Sequence, residues 1–418
     1  MHLLDRLRSP LKQLGPGLIT GAADDDPSGI ATYSQAGAQF GYGMLWSLVF
    51  TLPLMTAIQI VSARIGYVSG KGLAANMKQA FPRPVLLFFV GLLLAANTLN
   101  IAADIAAMGA AVHLLFGGSA QLYALGFGIA SVLMQVFLCY ESYVRWLKWL
   151  TLALLAYVGV VLVLGLDWGE VLVRTLHPQL HWNRDTLLMV VALFGTTISP
   201  YLFFWQAGQE VEDLNGGAGR ELSRTQVHRH LHRIKLDTHV GMGFSNAIAF
   251  CIMLAAAATL NKAGVHDIQT SAQAVEALKP VAGEHAALLF CLGIIGTGLL
   301  AVPVLAGSAG YAVAEVMGWR DSLSLKLEHG EGRGFYGVIA VATLGGVALC
   351  FAPLDPVRQL FWAAVFNGIT AVPIMAAMML LATRPTVMGP HVIGRKLRVL
   401  GWIATAVMAL MVLALALA

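Results

Sequence analysis

The chain has 418 residues, of which 58% are hydrophobic and only 11% charged, with a net charge of +4 at neutral pH. Soluble domains carry about a quarter charged residues. This chain therefore has too few polar groups to cover a water-facing surface, and its mean hydropathy of +0.73 asks for lipid instead. A soluble fold is excluded, and so is a β-barrel, which would need short alternating segments. The basic residues are spread along the chain as topology requires, so no nucleic-acid partner is expected.

Apolar runs long enough for a transmembrane helix of ~20 residues recur from end to end. They predict an all-α integral membrane protein with spans near 15–41, 43–69, 84–115, 119–140, 146–166, 185–208, 239–260, 285–316, 334–352, 358–383 and 398–417. Residues 1–14 read as a short cytosolic lead without the apolar core of a signal peptide. With that lead inside, the cytosolic segments hold every Lys and Arg except Arg174, Arg184, Lys262, Lys279 and Arg358. The positive-inside rule then sets the N-terminus in the cytosol and the C-terminus outside a plasma (inner) membrane. Cys139, Cys251, Cys291 and Cys350 are dispersed among apolar stretches and form neither a disulfide framework nor a CxxC site.

Two spans are interrupted. The first contains GAADDDPSGI (Gly21 to Ile30), and the sixth contains FGTTISPY (Phe194 to Tyr201). Proline lacks an N–H and disfavours helix in the residue before it, so each span unwinds near its middle. Breaks five spans apart point to an inverted repeat with a binding site at the midplane. The repeats would cover 15–166 and 185–383, with 398–417 as an eleventh helix.

Asp24, Asp25 and Asp26 are the strongest single feature. A charge at the bilayer centre costs ~2.5–3.5 kcal/mol even on the mild insertion scale, so water, protons or a cation must offset three of them. Asp26, beside Pro27, is the best candidate for facing the site, with Asp25 next. Thr196, Thr197 and Ser199 add hydroxyls and free carbonyls, hard donors suited to Mg²⁺, Mn²⁺ or Ca²⁺. The third span carries Asn97, Asn100 and Asp104 on one helical stripe, readable either as a water-lined path or as interhelical hydrogen bonding. His228, His230 and His232 lie among Arg229, Arg233 and Lys235, and read as a solvated basic loop rather than a metal site.

At these residues the chain resembles the NRAMP family of divalent metal transporters. GPGLITGAADDDPSGIATYSQAGAQFGYGMLW (Gly15 to Trp46) is similar to that family's first helix with its DPGN break, and TTISPY stands at the place of its MPH break. SARIGYVSGKGLA and ATRPTVMG (Ala382 to Gly389) are similar too. The resemblance implies a LeuT-type inverted repeat of five plus five helices and alternating access. It also implies a metal site from Asp26, Gly29 in place of the family's Asn, Ser199 in place of its Met, and the backbone at Thr196. Along the family's proton route, Tyr201 replaces a His, Asp104 keeps one acid, Ala107 stands where a Glu would be, and Lys235 keeps a basic position. A clade of the family related to magnesium transport also lacks the Met and the proton-coupling residues, and this chain is similar to it in site logic.

The reading is therefore a monomeric carrier of divalent cations, Mg²⁺ or Mn²⁺ favoured, with little or no proton coupling. The metal is cargo, and no cofactor is expected. Gly29 should leave room for water around a partly hydrated ion. The alternative is a LeuT-type carrier of a small organic solute, an amino acid or an organic cation held near Tyr201, Phe203, Phe204 and Trp205. A metal sensor would keep Asp26 but carry no flux. No nucleophile–base pair suggests an enzyme.

Overall fold

A computed structural model describes residues 16–137, 151–178, 182–216, 224–323, 332–351 and 355–418; the proposed cytosolic lead and Cys139 lie outside them. Among the described residues there is no β-strand. The first interrupted span is α1 (Pro16–Asp24) followed by α2 (Pro27–Phe40). Next come α3 (Leu45–Ser69), a short α4 (Leu73–Ala80), α5 (Arg83–Phe116), α6 (Ala120–Phe137) and α7 (Leu155–Val163). The chain then bends by 113° into α8 (Trp168–Leu176).

The second interrupted span is α9 (Arg184–Thr197) with α10 (Pro200–Gly216). It is followed by α11 (Arg224–Ala256), α12 (Ala286–Met317), α13 (Arg333–Leu349), α14 (Pro356–Ala382) and α15 (Arg395–Leu417). Every expected span coincides with helix over its described part. Among the described residues, 8 stretches are by length and apolarity alone able to cross a membrane, because Pro27–Ser69 runs two spans together, Arg333–Leu349 is too short, and the fifth span passes only if Leu152–Val163 and Trp168–Leu176 are taken as one.

Two boundaries differ from the hydropathy reading. The sixth span was expected to stop near 208, yet α10 continues to Gly216. Its polar end is anchored rather than frayed: Glu212 accepts from the Tyr311 hydroxyl and, at 2.8 Å, from the Leu323 backbone N–H. The seventh span begins at Arg224, not 239, so His228, His230 and His232 lie on a helix and not in a loop. His230 stacks on Tyr67 with ring centroids 5.3 Å apart. Hydropathy sees only the part of a helix that lies in lipid, and both helices continue past it.

The broken spans sit at the centre. α1 packs on α11, α9 on α14, α10 on α3, and α5 on α12, while α6 and α15 lie at the periphery. The Arg184–Leu214 span is 94% buried over its apolar window, against 22% for α6 and for α15. Small residues permit the closest crossings, as is common between membrane helices. A β-carbon on Gly195 would collide with the Ala364 carbonyl of α14, and one on Gly21 with the Gly241 backbone of α11.

Candidate functional site

Breaking a helix frees backbone groups at both new ends. At the first break, Asp26 leaves helical geometry (φ −71°, ψ 170°) and caps α2: its Oδ1 accepts from the Gly29 N–H at 2.6 Å. Asp26 therefore has a structural task as an N-cap, and only part of its carboxylate remains for a ligand. The Tyr201 hydroxyl, on the first turn of α10, donates to the Ala23 carbonyl freed at the end of α1 (3.0 Å) and lies 3.4 Å from Asp26 Oδ2. The two breaks thus meet through Tyr201.

At the second break, the Ser199 hydroxyl turns back to the Gly195 and Thr196 carbonyls at 2.9 and 3.0 Å. Its hydrogen is spent on the backbone, leaving the oxygen lone pairs. Thr196 Oγ1 lies 3.3 Å, and the edge of the Tyr33 ring 3.2 Å, from where a β-carbon on Gly29 would be. The space that Gly29 leaves is consequently taken by Tyr33 and Thr196, and the expected room for water there is not found. Tyr33 is fully buried.

Asp24 and Asp25 are 1% and 3% exposed. Both reach Ser245 of α11, whose hydroxyl lies 2.8 Å from Asp24 Oδ2 and 2.9 Å from Asp25 Oδ1. One hydroxyl hydrogen serves one carboxylate at a time, and among the described residues Asp24 Oδ1 has no hydrogen-bond partner. Asp25 is thereby tied to α11. Asp104 of α5 is fully buried, with Asp26 and the Ser28 backbone beside it. Among the described residues none of these four aspartates forms a salt bridge. Nor do any three His, Cys, Asp or Glu side chains converge to hold a metal unaided.

Asn97 and Asn100 are occupied elsewhere. Asn97 donates to the Leu305 carbonyl and the Ser308 hydroxyl of α12 at 2.8 and 2.7 Å. Asn100 and Asn367 of α14 exchange amide hydrogen bonds of 2.8 and 3.1 Å. Of that stripe, only Asp104 lies beside the first break, next to Asp26 and Ser28. Lys235 is exposed on α11 and stands apart from the breaks.

Contacts separate the breaks from both ends of the bundle. On one side the Ser28 hydroxyl donates to the Leu360 carbonyl at 3.0 Å. Beyond it opens a cavity of about 270 Å³ lined by Gln35, Asp185, Asp267 and Arg358 among others. A deeper recess reaches Ser34 and Ala107, the position where the family's second acid would stand. On the other side Gln59 donates to Gln206 at 2.6 Å and Gln206 to Thr238 at 3.1 Å. Further out, Arg233 bridges Glu210 and Asp213, each at 3.1 Å.

This arrangement, paired broken helices around buried acids, is matched by known proteins. The sequence model of Nramp, natural resistance-associated macrophage protein-like, matches residues 17–418. The chain belongs to the Nramp family. Members of that family are transporters, and this chain is not an enzyme. A divalent metal cation transporter MntH of Klebsiella pneumoniae is 26% identical over 405 residues, covering 95% of this chain and 92% of that one. An MntH of Erwinia tasmaniensis is 29% identical over 294 residues, 68% of each chain. Among solved structures, a manganese transporter of Eremococcus coleocola superposes with a TM-score of 0.76 at 17% identity, covering 97% of this chain and 86% of that one. MhsT in complex with L-phenylalanine superposes at 0.60 with 13% identity, covering 96% and 98%. Those two likenesses concern the fold, which is the LeuT-type inverted repeat of five plus five helices with an eleventh appended.

Tyr33 and Ser245 escaped the sequence reading. Tyr33 stands four residues after Gly29, hence on the same helical face, and that signal was available. Ser245 lies 221 residues from Asp24 and carried none.

Proposed function

We propose that the chain carries divalent cations across the membrane by alternating access, Mg²⁺ or Mn²⁺ favoured, with little or no proton coupling. The observation that supports this most is electrostatic: Asp24, Asp25, Asp26 and Asp104 are buried without a basic partner among the described residues. A buried charge left unpaired is costly, and a cation entering from outside offsets it. The C-terminal ends of α1 and α9 favour the same sign, because their last carbonyls carry the negative pole of each half-helix.

The relatives named for divalent metals and for manganese support the substrate class. A donor set of Asp26, the Thr196 carbonyl and the Ser199 oxygen is hard and incomplete, which suits an ion that keeps part of its water. Asp25, bound to Ser245, acts beside that set. Tyr201 in place of an imidazole, and Ala107 in place of an acid, leave Asp104 and the triplet as the acids through which a proton could pass, since a phenol takes up no proton near neutral pH. Lys235, away from the breaks, is not given a part in coupling.

An organic solute is not favoured: Trp205, the strongest aromatic candidate, is packed against Tyr311 with ring centroids 6.0 Å apart. We assign the repeats to residues 15–166 and 185–383, each opening with a broken helix. One chain then contains the whole site, so a monomer suffices. The distribution of basic residues supports a cytosolic N-terminus and an external C-terminus in the plasma (inner) membrane. A cysteine introduced at Ala418 should then label only from outside, and labelling from the cytosol alone would reverse the orientation.

The test of function is flux into proteoliposomes across a panel of divalent ions with a pH reporter inside. The expected result is Mg²⁺ or Mn²⁺ entry with little acidification and weak Cd²⁺ entry. Ser199→Met, which adds a soft thioether, should raise Cd²⁺ entry relative to Mg²⁺. Strong metal-driven acidification, or wild-type preference for Cd²⁺, overturns the selectivity and coupling assigned here.

A further inference from the structure

Away from the breaks, α3, α11 and α15 enclose a lipid-side trough of about 740 Å³. Its length is apolar, lined by Leu52, Pro53, Ile60, Leu397 and Leu400, and its lining includes Arg64, Lys235, His239, Arg395 and Lys396 and, among the described residues, no Asp or Glu. Lys235, Arg395 and Lys396 are exposed and form no ion pair among the described residues. Arg64 is half-buried: its Nη2 donates to the His391 carbonyl at 3.3 Å, while its Nε is buried without an acceptor among the described residues. The flanking helix faces carry exposed Val240 and Phe244 on α11 and Val399, Trp402 and Ile403 on α15, so the trough opens toward hydrocarbon.

We propose that this trough binds one acidic phospholipid, its phosphate held by Arg64, Lys235, Arg395 and Lys396 and an acyl chain lying along the apolar wall. The apolar length selects a lipid over a soluble anion, and the one-signed basic lining selects an anionic headgroup over a zwitterionic one. Lysine stems can cover apolar surface while their ammonium groups reach the headgroup layer, and basic pockets between transmembrane helices favour acidic headgroups. The lipid would brace α11 against α3 and α15. That matters to the breaks because α11 carries Ser245, which holds Asp24 and Asp25, and Asp237, which accepts from the Gly17 N–H at 2.8 Å. The proposal does not depend on which ion is carried.

The experiment is native mass spectrometry of the full chain released from phosphatidylcholine nanodiscs containing phosphatidylglycerol. The wild type should retain one phosphatidylglycerol in preference to phosphatidylcholine. Combining Lys235→Gln, Arg395→Gln and Lys396→Gln should weaken that retention roughly a hundredfold, about fivefold per basic residue, and Lys71→Gln, outside the trough, should leave it unchanged. Melting in pure phosphatidylcholine checks that the triple variant folds. If it does not, Arg395→Gln with Lys396→Gln decides, with a loss of about twenty-five-fold expected. Equal retention of both lipids by the wild type, unchanged retention in the charge variants, or an equal loss in Lys71→Gln overturns the proposal.

Discussion

At the first break the chain supplies carboxylates, Asp24, Asp25 and Asp26, whereas at the second it supplies Thr196, Thr197 and Ser199, none of them charged. The backbone device is the same in both, a proline at the start of the following half-helix. The chemistry left over differs. At the second break the hydroxyl hydrogens turn back onto carbonyls: Ser199 onto Gly195 and Thr196, and Thr197 onto Leu193 at 2.9 Å. Those two hydroxyls are answered by carbonyls of α9, whereas the acids of the first break lean on one serine from α11, one phenol from α10 and the α2 amide at Gly29. Charge is concentrated on one side of the site and geometry on the other, so substitutions at the two breaks should fail in different ways.

The largest effect is expected at Asp26. Asp26→Asn keeps an oxygen to cap α2 while removing the negative charge. Losing a buried charged partner costs about 2–5 kcal/mol, so divalent flux should fall a hundredfold or more with little change in melting temperature. Asp26→Ala should lose flux equally and also about 0.5–2 kcal/mol of stability through the lost cap. Equal stability of the two variants would show that the cap contributes nothing and would blur the contrast between the breaks.

A smaller effect is expected at Ser245. Ser245→Ala strands two buried carboxylates without their shared donor, which costs about 1–3 kcal/mol. Denaturation should show that loss, with flux reduced less than in Asp26→Asn. A flux loss matching Asp26→Asn would instead draw Ser245 and Asp25 into the ion's own coordination. The smallest effect on flux is expected at Asn100. Asn100→Ala leaves Asn367 unpaired at a cost of about 1–3 kcal/mol, and replacing both by Leu should recover most of it. Flux that falls further than stability would return Asn100 to the transport path.

Both breaks were legible in the sequence because Pro27 and Pro200 interrupt apolar runs, and proline acts on the backbone wherever it stands. Asp26 was legible because a carboxylate in hydrocarbon needs a reason. What could not be read was who answers those carboxylates. Ser245 is one serine among many until folding brings α11 against α1. The vacancy at Gly29 also misled, since a missing side chain leaves space only if no neighbour enters it, and Tyr33 does. At the histidine segment the charges end the apolar signal, so hydropathy predicts a loop; the helix itself reaches back to Arg224.

Calorimetric titration of Mn²⁺ and Mg²⁺ into the purified protein tests the central claim, that buried acids at the first break, without a basic partner among the described residues, hold the ion. Wild-type protein should bind one divalent ion and melt at a higher temperature in its presence, as any ligand of the folded state requires. Asp26→Asn should lose both responses while remaining folded. Binding of wild-type strength by folded Asp26→Asn would contradict the account and put the ion elsewhere.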